Sequence, residues 1–110
     1  MVLVHPPLLP GSLKKRPVAI VTGASQGLGL AIALRLADDG FDVVINDLQH
    51  KLGAMEDAVR RVVLKGARAA AVVADVSSED GVKRLVETTV EKFGKLDAVR
   101  SFLFSGSSAD

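Results

Sequence analysis

The sequence has 110 residues, enough for one domain and no more. Hydrophobic residues make up 48%, too many for a disordered chain, and a formal net charge of +1 gives no reason to expect nucleic acid or an anionic membrane as partner. There are no Cys, which excludes a disulfide frame and a thiolate metal site, and no apolar run nears the roughly 20 residues of a membrane span. A cytoplasmic protein fits these absences.

Residues 1–16 read as a flexible, solvated leader. Pro6, Pro7 and Pro10 break any helix, and the basic triplet Lys14-Lys15-Arg16 comes last, the wrong order for a secretory signal. Pro17 suits the start of a strand, and Val18-Ala19-Ile20-Val21 carries that strand on to Thr22. The stretch Gly23-Ala24-Ser25-Gln26-Gly27-Leu28-Gly29 then turns the chain into a helix over about 27–39. That helix is apolar almost all round, with Arg35 its only charge before Asp38, and is expected to be buried. Gly40 stops it.

The run Asp42-Val43-Val44-Ile45-Asn46-Asp47 predicts a central parallel strand. A helix over about 50–65 follows, with Leu52, Met55, Val59 and Val62 as its core stripe and Lys51, Glu56, Arg60 and Arg61 outside it. Ala67 to Ala74 reads as the third strand. Ser77 or Ser78 is placed to cap the next helix, whose first turn holds Glu79 and Asp80. Val82, Leu85, Val86, Val90 and Phe93 fall on one face of it, and Gly94 ends it. Leu96-Asp97-Ala98-Val99 starts a fourth strand. Arg100 and Ser101 then break the apolar pattern, and residues 100–110 form a divergent tail.

The order is β-α-β-α-β-α-β. Right-handed crossovers give an α/β fold, the N-terminal half of a Rossmann-like doubly wound parallel sheet, with strand order 3-2-1-4. Residues 17–99 form that half-domain. Its switch point lies between strands 1 and 4, where the glycine turn emerges.

Glycines at 23, 27 and 29 let backbone amides approach a phosphate, and the helix behind them points its positive end at the same spot. The competing reading is a tight turn whose glycines serve packing alone. A P-loop is excluded, because no Gly-Lys-Ser/Thr follows. Asp47 ends strand 2 where an acid bonds the adenosine ribose hydroxyls of a dinucleotide; its charge repels a 2′-phosphate. With no base at 48 or 49, and Gln26 in the loop, NAD is expected over NADP. Asp75 ends strand 3 on the same rim and is a candidate acceptor for an adenine amino group, with the Val76 backbone beside it. Helix or loop capping is the alternative for both acids. Asp42 and Asp97, at strand starts, read as solvated. His5 and His50 are isolated, so no metal site is expected.

Together these residues resemble the short-chain dehydrogenase/reductase family. Thr22-Gly23-Ala24-Ser25-Gln26-Gly27-Leu28-Gly29 looks like its cofactor loop, Asn46-Asp47-Leu48 like the strand-2 end of its NAD-preferring members, and Asp75-Val76 like its adenine contact. Val18 to Leu48 look most like acetoin/diacetyl reductases. The resemblance implies NAD(P)-dependent hydride transfer between nicotinamide and a carbonyl or secondary alcohol. It implies cofactor contacts at Gly23, Ser25, Gln26, Gly27, Leu28, Gly29, Asp47, Leu48, Asp75 and Val76.

The family's proton donor is a Tyr tuned by a Lys four residues on. This sequence has no Tyr, and Ser101-Phe102-Leu103-Phe104 stand where the family has Asn-Asn-Ala-Gly. No catalytic residue is therefore assigned. The loss of match after Val99 reads as the mark of a truncated, catalytically incomplete product. Two other readings remain: a non-catalytic NAD-binding module, or a fragment that self-associates through an exposed strand-4 edge carrying Phe102 and Phe104.

Overall fold

The computed structural model describes residues 16–100. The expected leader up to residue 15 and the tail from 101 to 110, with Phe102 and Phe104, lie outside the described residues. The described elements are β1 (Val18–Thr22), α1 (Gly27–Asp38), β2 (Asp42–Asp47), α2 (Leu52–Val63), β3 (Ala69–Val73), α3 (Glu79–Phe93) and β4 (Ala98–Arg100). All strand pairs are parallel and the order is β3-β2-β1-β4, as the sequence pattern predicts.

The sheet is held from both faces. Side chains alternate along a strand, so Val21, Val43 and Ile45 meet the buried residues of α1 and α2, while Val18, Ile20 and Val44 meet Leu85 and Phe93 of α3. The chain steps from β1 to β2 to β3 in one direction, then returns to the far side of β1 for β4. That reversal is why α3 lies on the opposite face from α1 and α2. It also leaves a crevice at the carboxyl ends of the central strands. β1 and β2 are buried throughout except at Asp47. At about 1.5–3 kcal/mol for each fully buried Val or Ile, these two strands anchor the fold.

Five expectations are corrected. The first helix is not buried all round. Only Gly29, Ala33 and Ala37 are buried, one small residue per turn, so α1 lies close against the sheet. Leu28 and Ala31 point away from it and are exposed.

The second helix opens as a tight 3-10 turn over Gln49–Lys51 before α2 proper begins. In α3 the buried stripe is Gly81, Leu85, Thr89 and Phe93, at strict four-residue spacing. Val82 and Val90 lie one position round the helix and are half exposed. Gly81 is what permits the close approach, because a Cβ there would lie 1.9 Å from the Asp75 carbonyl oxygen.

Asp42 is not solvated. Its side chain is fully buried, accepting from Arg16 Nε at 2.9 Å, Arg68 Nε at 2.8 Å and the Arg68 backbone N–H at 2.9 Å. The Arg68 guanidinium also lies 5.1 Å from the centre of the Phe93 ring. This clasp ties the start of β2 to the segments before β1 and β3. Asp97 is exposed, as expected, yet its Oδ2 accepts the Val18 N–H at 2.8 Å. That bond, reinforced by Lys95, holds its carboxyl below the ordinary value. β4 is three residues long and starts at Ala98; Leu96 packs into the α3-side core instead. Arg100 sits at the sheet edge with its side chain exposed, which avoids the cost of burying an unpaired charge.

Candidate functional site

The turn after β1 is shaped by its glycines in two different ways. Gly23 and Gly27 have φ of 64° and 61°, a region that side chains with a Cβ rarely adopt. At Gly27 the space a Cβ would enter is open, so the constraint there is backbone conformation alone. Gly29 serves packing: a Cβ would lie 2.3 Å from the Gly23 carbonyl oxygen. The first turn of α1 thus sits directly on the glycine turn.

The loop is fastened to β2. Ala24 N–H donates to the Asn46 carbonyl at 3.1 Å, and the Ser25 hydroxyl donates to Asp47 Oδ2 at 2.6 Å. Asn46 is buried and its side-chain amide donates to the carbonyls of Val72 and Ala74, which carries the brace on to β3. Thr22 Oγ1 reaches the Arg100 carbonyl at 3.5 Å, linking β1 to β4 across the switch point.

Two cavities open on this rim, of about 310 and 200 Å³, and share Gly23 and Asp47 in their walls. The larger is lined by Gly23, Gln26, Gly27, Leu28, Gly29, Asp47 and Lys51. The smaller is lined by Thr22, Gly23, Asn46, Asp47, Leu48, Ala74, Asp75, Val76 and Ser77. The amino end of α1 faces the larger cavity. Gln26 precedes the helix without a side-chain capping bond, and the first turn holds no acid. In α3, by contrast, Ser78 caps the Gly81 N–H at 2.9 Å and Glu79 and Asp80 follow. The α1 end is thus a patch of outward-facing N–H groups and positive helix dipole, suited to an anion.

Asp47 stands between the cavities. Its Oδ1 accepts the Leu48 N–H at 2.9 Å, and its Oδ2 accepts the Ser25 hydroxyl and, at 3.4 Å, the Ser25 N–H, so the carboxylate is fixed while Oδ1 keeps a further lone pair. Asp75 has its Oδ1 engaged by the Ser77 hydroxyl at 2.6 Å and the Ser77 N–H at 2.9 Å. These two bonds, the hydroxyl first, lower its pKa. Its backbone carbonyl also accepts from Ser78 N–H and Oγ. The capping role is therefore present, and Asp75 also lines the smaller cavity.

Nine of the ten sequence-derived residues line one cavity or the other. Ser25 does not; it is buried behind Asp47 and acts on the site through that carboxylate. Lys51 was missed. The sequence reading set it on the solvent face of a helix, whereas the 3-10 turn swings it back so that Nζ meets Gln26 Oε1 at 3.2 Å. The available signal was its position four residues after Asp47, too close for a regular helix to have carried it away.

The model of the short chain dehydrogenase family matches residues 17–101. A short-chain dehydrogenase/reductase of Armillaria gallica is 44% identical over 88 residues, covering 80% of this chain and 34% of its own. A 3-oxoacyl-(acyl-carrier-protein) reductase of Synechocystis sp. is 43% identical over 82 residues, 74% of this chain and 33% of its own. Among solved structures, a xylitol dehydrogenase with NAD+ bound is similar with a TM-score of 0.70 and 40% identity, over 77% of this chain and 32% of that one. An acetoin dehydrogenase from Enterobacter cloacae is similar with a TM-score of 0.70 and 37% identity, over 78% and 34%. The chain spans about a third of the length of these relatives and overlies the N-terminal part of the solved structures.

Proposed function

This chain belongs to the short-chain dehydrogenase family, whose cofactor is a nicotinamide dinucleotide, and we propose that its described residues hold the adenosine and diphosphate of NAD. The activity served is hydride transfer between the nicotinamide and a carbonyl or secondary alcohol. The observation that carries this reading is the joint placement of an uncapped α1 amino end, a glycine turn at positive φ, and a fixed Asp47 carboxylate around two adjoining cavities.

In this reading the N–H groups at the start of α1 and the turn at Gly23 and Gly27 take the diphosphate, where a Cβ would hinder approach. Asp47 accepts from the ribose hydroxyls, and its charge disfavours a 2′-phosphate, so NAD is preferred over NADP. Gln26, Leu28 and Gly29 complete the diphosphate wall. Leu48, Asp75 and Val76 border the smaller cavity, which takes the adenine. When bound, the nicotinamide supplies the carbon that gives or receives hydride.

None of the 110 residues is a Tyr, so the phenol that the family uses to move a proton is not among them. The polypeptide as given is proposed to bind without turning over. ADP-ribose tests the binding half of this claim. By calorimetry it should bind the chain within a few-fold of NAD, because the contacts stop at the diphosphate. ADP-ribose that binds far more weakly than NAD would place the main contacts elsewhere. A second reading, self-association through the β4 edge, is favoured by the exposure of Val99 and Arg100. It predicts oligomers that grow with concentration in sedimentation and do not respond to NAD.

A further inference from the structure

We infer that Lys51 makes the cofactor preference of this site turn on the single charge of Asp47. The inference rests on the dinucleotide reading above. Lys51 and Asp47 line the same cavity, yet they do not pair with each other. Asp47 is satisfied by Ser25 and Leu48. Among the described residues Lys51 Nζ meets only the neutral Gln26 amide, and no carboxylate lies within ion-pair distance of it.

A strongly hydrated ammonium with three donors and one neutral partner keeps two donors for an anion. Opposite charges on one small cavity wall compete for what sits at the ribose 2′ position. The carboxylate favours a hydroxyl and repels a phosphate. The ammonium favours the phosphate and is nearly indifferent to a hydroxyl. With Asp47 ionised, the carboxylate prevails because it is rigid and backed by Ser25, whereas Lys51 is held by one exposed amide. Removing the carboxylate charge leaves a cation already in place.

The test is calorimetry of the full 110-residue chain with NAD and with NADP. Asp47→Asn should raise the NADP-to-NAD affinity ratio by at least about tenfold, since a charge-assisted contact replaces a repulsion. Adding Lys51→Met should remove that gain. Lys51→Met alone should shift NAD and NADP affinity together and leave their ratio within about threefold of the parent's, because any contact it makes to the shared diphosphate is common to both. NADP binding to the Asp47→Asn chain should also weaken more steeply with NaCl than NAD binding does. Asp47→Ser serves as a second charge-removing variant, and circular-dichroism melts show which chains are folded.

A ratio that does not rise, or a rise that survives Lys51→Met, overturns the inference while NAD binding by the parent chain leaves the dinucleotide reading standing. If the folded parent chain binds neither dinucleotide, both fall.

Discussion

Replacing Gly29 by Ala tests the contact between α1 and the glycine turn. The added Cβ would lie 2.3 Å from the Gly23 carbonyl oxygen and 2.9 Å from its carbon. Both neighbours are backbone, so neither can swing aside; α1 or the turn must retreat by about 1 Å to reach ordinary contact. Overpacking of this kind costs about 1–3 kcal/mol, and the rigidity of the partner argues for the upper half. Ala recovers about 0.5–1 kcal/mol through helix propensity and a less flexible unfolded chain. The net is a loss of about 1–2.5 kcal/mol. For a domain of this size that lowers the Tm by about 5–15 °C.

A thermal scan by circular dichroism reads this directly. Gly53→Ala is the control: no atom lies within 4 Å of its Cβ position in α2, so the same substitution should raise stability by about 0.5–1 kcal/mol. NAD affinity should fall in Gly29→Ala and hold in Gly53→Ala. A Gly29→Ala chain that melts at or above the parent and binds NAD equally would refute the reasoning.

Asp42→Ala should destabilise by about 3 kcal/mol, the low end for breaking a buried pair, because Arg16 and Arg68 keep a path to water. Urea unfolding measures it, and an unchanged midpoint would show the clasp to be idle. Asn46→Ala leaves the Val72 and Ala74 carbonyls without their side-chain donor and should cost about 1–3 kcal/mol in the same assay; a loss below that range would remove Asn46 from the brace. Asp97 has its pKa lowered, chiefly by the Val18 N–H, so its contribution is fully present above its ordinary value of 3.8 and is lost as pH falls through the lowered value. Asp97→Asn should flatten the acid limb of Tm against pH; a limb parallel to the parent's would assign acid sensitivity elsewhere.

The strand order and the rim were legible because they rest on local signals. The apolar runs of β1 and β2 have no other stable home than a sheet buried on both faces, and Gly23 and Gly27 sit where only a reversed φ lets the chain turn. What the sequence hid was set by tertiary reach. Lys51 and Asp42 both looked solvated, as charges usually are. A 3-10 turn carried one to the cavity, and two arginines from distant segments made burial of the other tolerable. In α3 the stronger apolar signal lies at Val82 and Val90, one position round the helix from the stripe that is buried. The core instead selected the small residue Gly81 and Thr89, whose hydroxyl donates to the Leu85 carbonyl.

The most direct measurement is a calorimetric titration of NAD into the parent chain and into Asp47→Ala, each shown to be folded. The parent should give a saturable heat with one site per chain, and the variant should bind at least about tenfold more weakly, as expected when a charged hydrogen-bond acceptor for two hydroxyls is lost. No heat from the folded parent, or equal affinity in the two, would contradict the assignment of this rim as a dinucleotide site.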